Sequence, residues 1–139
     1  MPSSPRPRHL LSAAVAVLAT GALAGCAGIT TTTDASFNSR DGLDAGWPFD
    51  VAAPAWIPDQ VRKVHVSGHD GTGEVIVYVD TSAGLPEGAC LEAPRSTAPA
   101  VTTGWSPNWE TPPEQVWVCA SWEVTPMANG WFGWTAPGV

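Results

Sequence analysis

The chain has 139 residues, with six Lys and Arg against 13 Asp and Glu and a formal net charge of −7. That length suits one domain rather than two. The acidic balance excludes a nucleic-acid binder and a protein held to anionic lipid by a basic patch.

The opening stretch, 1–25, has the three parts of an export signal. Arg6, Arg8 and His9 form a basic start, and residues 10–23 are almost wholly apolar. Leu23-Ala24-Gly25-Cys26 ends the run on small residues and a thiol. The apolar run is short for a retained span, which needs about 20 such residues. Cleavage before Cys26 would leave Arg40, Arg62, Lys63 and Arg95 against all 13 acids.

The ending at Cys26 resembles the lipobox of bacterial lipoproteins. The resemblance implies a diacylglycerol thioether on Cys26, cleavage before it, and palmitate-type acylation of the new amino group. Two or three acyl chains give durable anchoring where one is marginal. The implied location is the outer, extracytoplasmic face of the cell membrane. The later sequence resembles small actinobacterial lipoproteins, through Cys90 and Cys119 set in Pro-rich, Trp-containing sequence, Trp122 just after the second cysteine, and Trp134 near the end. That likeness carries no activity and no ligand residues.

Residues 26–46 read as the lipidated cysteine and a flexible tether. Thr30 to Thr33 run together, and only Ile29, Phe37 and Leu43 are strongly apolar, too little to offset the entropy of ordering. The extracytoplasmic domain is then 47–139. Pro48, Pro54 and Pro58 predict an irregular arm, anchored by Trp47, Phe49, Trp56 and Ile57.

Alternating valines predict a first strand at 61–67 and a second at 74–80. Asp70-Gly71-Thr72-Gly73 between them predicts a hairpin. Residues 89–93 read as a short strand or a helical turn. Residues 94–113, with five prolines, Trp105 and Trp109, form a long irregular loop. Loops of that length are usually functional or disordered, and two tryptophans argue against disorder. A third strand is expected at 115–124, slipping near Trp122 as a bulge would, and a fourth at 131–135. The expected fold is therefore mostly β, a small antiparallel sheet of about four strands from two hairpins, with the long Pro/Trp-rich loop and one disulfide.

Cys90 and Cys119 are the only candidates for that internal disulfide once Cys26 is acylated, and export favours it over two buried thiols. Closing about 30 residues would stabilise the fold by roughly 3 to 4 kcal/mol. No cofactor is implied, and two distant cysteines without clustered histidines do not suggest a metal site.

The expected function is a cell-envelope lipoprotein with a structural or protein-interaction role, tied to the membrane by lipid. Trp105 and Trp109 are candidate ligand-binding rings, which would make the domain a glycan or cell-wall binder. Trp117, Trp122, Trp131 and Trp134 lie on expected strands and read as core. A small hydrolase would need His65 joined to Glu74 or Asp80. No nucleophile elbow, metalloprotease or calcium-loop spacing occurs, so no catalytic residue is assigned.

Overall fold

A computed structural model describes residues 30–136. The expected signal stretch 1–25 and the expected lipidation site Cys26 lie outside the described residues. The elements are β1 (Thr32–Phe37), α1 (Arg40–Gly46), β2 (Lys63–His69), β3 (Val75–Asp80), β4 (Leu91–Pro94), β5 (Gln115–Cys119), β6 (Trp122–Met127) and β7 (Gly130–Thr135). They form one antiparallel seven-stranded sheet in the order β1-β2-β3-β7-β6-β5-β4.

This corrects the four-strand, two-hairpin expectation. The first added strand, β1, lies in the segment read as tether. Its polar composition hides a period of two, because Thr33, Ala35 and Phe37 are half-buried and their neighbours exposed. Threonine suits an extended backbone. Pairing with β2 supplies the hydrogen bonds that the segment lacks alone. The helix α1 follows, capped by Ser39, whose hydroxyl accepts from Gly42 N at 3.0 Å. It buries Leu43 completely. The tether reading therefore fails for residues 30–46.

A second correction splits the expected third strand. Ala120 adopts φ +54, and the chain reverses through Ala120-Ser121 between β5 and β6. The slip in alternation near Trp122 is this turn, not a bulge. Pro126 is tolerated in β6 because the β5–β6 pairs run only from Cys119↔Trp122 to Trp117↔Val124, leaving it beyond them. Of the short strand or helical turn expected at 89–93, the structure has a strand, β4, on the sheet edge at Leu91–Pro94.

The 61–67 and 74–80 expectations correspond to β2 and β3. Their hairpin turns through Gly71 and Gly73, at φ +75 and +74, which glycine adopts at little cost.

Each face of the sheet carries its own apolar core. On the first, Val64, Val66, Val75, Val77, Val79, Trp122 and Val124 meet Leu43, Trp56 and Ile57 from α1 and the arm at 47–61. Gly133 lets Trp56 lie flat on β7, since a Cβ there would fall 2.5 Å from the ring. On the second face, Ile76, Val116, Phe132 and Trp134 meet Val101 from the loop at 95–114.

Candidate functional site

Cys90 and Cys119 form a disulfide, with Cα atoms 4.3 Å apart. The register brings this about. Leu91 lies opposite Val118, so the next residues outward meet at the sheet end. The bond ties the entry of edge strand β4 to the last residue of β5.

The loop at 95–114 is fixed by two charged side chains. Arg95 closes its base, donating through Nε to the Pro113 carbonyl at 3.0 Å and through Nη1 to the Thr97 carbonyl at 2.8 Å. Its backbone N–H reaches the Glu114 carbonyl at 2.8 Å. Glu123, fully buried on β6, fastens the loop to the sheet. Its carboxylate accepts from Ser96 N at 2.5 Å, Ser96 Oγ at 2.8 Å and Thr97 N at 3.0 Å. It also accepts from Thr97 Oγ1, and from Trp134 Nε1 at 3.1 Å. Burial is the largest single influence and pushes the Glu123 pKa up. The hydrogen bonds from Thr97 and Ser96 together outweigh it, and the net shift is downward. Glu123 is thus a satisfied buried carboxylate with a structural task.

Trp105 and Trp109 are both half-buried, and they pack in different places. Trp105 lies beside His65, with ring centroids 5.6 Å apart, and His65 lies 6.3 Å from Tyr78. Trp109 meets Phe132 and Trp134 edge-on at 5.6 and 5.8 Å. The first ring borders the open part of the second face, where Asp34 and Ser36 are exposed. The second ring holds the loop down.

Of the strand tryptophans, Trp122 and Trp134 are buried. Trp117 and Trp131 are half-buried and line a cleft of about 300 Å³ with Leu85, Pro86 and Cys90. Trp131 is held there by its Nε1, which donates to the Ala83 carbonyl at 3.0 Å. The cleft is at the small end of the ligand-pocket range.

The histidines and acids are distributed among separate partners. His69 Nδ1 meets Glu74 Oε2 at 2.9 Å, and that hydrogen bond holds the Glu74 carboxyl below its ordinary range. Asp80 pairs with Arg62. Burial, helped by the Lys63 charge, lowers the His65 pKa and favours the neutral ring at pH 7. His65 is thus grouped with aromatic rings, while Glu74 and Asp80 each have another partner. Among the described residues no group of three or more His, Cys, Asp or Glu is arranged to hold a metal.

Sequence reasoning missed Glu123, Arg95 and the Trp117–Trp131 cleft. Glu123 had a signal, as the one acid between apolar Trp122 and Val124 on an expected strand. The cleft had none, because the turn at 84–88 that completes it is remote in sequence. The chain matches no protein-family model, no curated protein and no solved structure.

Proposed function

We propose that the chain is an exported lipoprotein, anchored through Cys26, whose domain presents a rigid surface to a protein partner in the cell envelope. The observation that carries this reading is the Cys90–Cys119 bond. A disulfide persists in an oxidising compartment, the destination implied by the signal stretch. The polar groups fit a presenting role. Glu123 and Arg95 are engaged in holding the fold, and the loop at 95–114 is braced at its base and along the sheet. A preorganised surface loses little entropy on binding.

The test compares the native chain with Cys26→Ala, by cross-linking and pull-down from intact membranes. The account expects the native chain in the membrane fraction with a reproducible partner, and the variant lost from both. Equal membrane association of the two would overturn the anchor.

A glycan-binding role is the second reading. The Trp105, His65 and Tyr78 rings favour it, because Trp105 stays half-exposed beside an open sheet face. Trp109, engaged with Phe132 and Trp134, serves that reading only by fixing the loop. Retention on cell-wall glycan that disappears in Trp105→Ala, with unchanged melting, would move this reading ahead of the first.

A further inference from the structure

Residue 31 fixes where the anchor joins the domain. Asp70, at the tip of the β2–β3 hairpin, donates its backbone N–H to the Thr31 carbonyl at 2.9 Å. Its carboxylate accepts from Thr31 Oγ1 at 2.7 Å and from Thr33 Oγ1 at 2.6 Å. These three hydrogen bonds latch the start of β1 to the tip. The two threonine hydroxyl bonds, Thr31 first, also hold the Asp70 carboxyl below its ordinary range.

The register extends this position across the sheet. Thr33 lies opposite Gly68 and Gly68 opposite Val75. Val75 N reaches Thr135 Oγ1 at 3.0 Å. The row at the other end runs from Lys63 through Asp80 and Gly130 to Met127. Five residue steps, from Val75 to Asp80, separate the two rows by about 17 Å. Five peptide steps join Cys26 to Thr31, at most about 18 Å of chain. The lipid attachment therefore cannot stand farther from the hairpin tip than roughly one strand length.

From this latch and reach we infer that the domain stands on the bilayer by its β2–β3 hairpin end, with residues 69–74 facing the lipid headgroups and the Lys63–Asp80 end pointing away. The inference rests on the anchored reading of Cys26. The partner surface of this end is the headgroup layer, approached without insertion. Asp50 and Asp70 are exposed there and Glu74 is half-exposed, so anionic headgroups repel the tip within a Debye length of about 8 Å. The concavity bounded by Phe49, Asp50, His69 and Asp70 opens at this same end. The turn after β3 and the Trp117–Trp131 cleft beside it are left toward the envelope space, where a protein partner has access.

The experiment uses the full-length product recovered from its native membranes and placed in vesicles containing headgroup-nitroxide lipid. Thr72→Cys and Ser82→Cys each receive a thiol-reactive fluorophore, the disulfide and the acylated Cys26 being unreactive. Pro48→Cys, on the arm beside the tip, is a second near-end site should the turn be disturbed. The expected result is quenching several-fold stronger at residues 72 and 48 than at 82. With phosphatidylglycerol in the vesicle, quenching at 72 rises with salt. Equal quenching at both ends, or the reverse order, on a chain whose Cys26 is lipidated overturns the orientation and leaves the anchor standing. A salt-independent signal overturns the electrostatic stand-off. An unmodified Cys26, read by mass spectrometry of the same sample, removes the anchor and the orientation together.

Discussion

The arm over the first sheet face and the loop over the second are both irregular and proline-rich, yet different forces hold them. The arm is fastened mainly by burial. Trp56 and Ile57 are almost wholly excluded from water, and Trp47 and Phe49 pack beside them. Its polar help is Arg40, which donates to the carbonyls of Pro54 and Ile57 at 3.2 and 2.8 Å. The loop places one fully buried valine, Val101, in its core and relies on the Glu123 and Arg95 hydrogen bonds. A sheet with little helix to cover it is thus closed by hydrophobic weight on one side and by a polar clamp on the other. The clamp is directional, so it holds the loop in one shape.

The largest expected effect is on the apolar side. Trp56→Ala should cost about 3–5 kcal/mol, because it leaves a cavity beneath the arm. Its unfolding, followed by urea and circular dichroism, should keep the acid dependence of the native chain. Glu123→Ala should cost about 3 kcal/mol, since the Ser96, Thr97 and Trp134 donors lose a buried charged acceptor. Equal acid sensitivity in Glu123→Ala and the native chain would break the distinction between the two sides.

The sign follows from the lowered pKa of Glu123. The unfolded chain takes up this proton at a higher pH than the folded chain. The clamp's contribution is therefore complete above the ordinary glutamate value of 4.5 and is lost as pH falls below it through the folded value. Thermal melts of the native chain and Glu123→Gln between neutral and acid pH should converge as pH drops.

Gly133→Ala should cost about 1–3 kcal/mol by pushing the Trp56 ring off β7. Its melting curve should show a loss that Trp56→Ala does not add to in full, as neighbours in contact do. The smallest effect belongs to Arg62→Ala. The Arg62 side chain is 57% exposed, and its pair with Asp80 is a surface pair that solvent screens. Its melting temperature should stay within the scatter of the native protein.

The elements legible in the sequence were those with a local signal. The β2–β3 hairpin announced itself through alternating valines around Asp70-Gly71. The long loop was visible from its prolines, and the cysteine pair from elimination. β1 was hidden because its stabilising contacts are not its own. They come from β2 and from Asp70, 37 residues beyond Thr33. β5 and β6 merged because the turn between them uses Ala120 rather than glycine or asparagine. The cleft of Trp117 and Trp131 is assembled from strands that meet only in the sheet. Trp105 and Trp109, the two candidate ligand-binding rings, diverge because the loop carries one toward His65 and the other toward Phe132.

The central claim is that export, lipid and disulfide occur together on one chain, and intact-mass analysis of the protein from native membranes tests it most directly. The account predicts a chain beginning at acylated Cys26 with Cys90 and Cys119 joined. A soluble chain that retains residues 1–25 and three free thiols would contradict it.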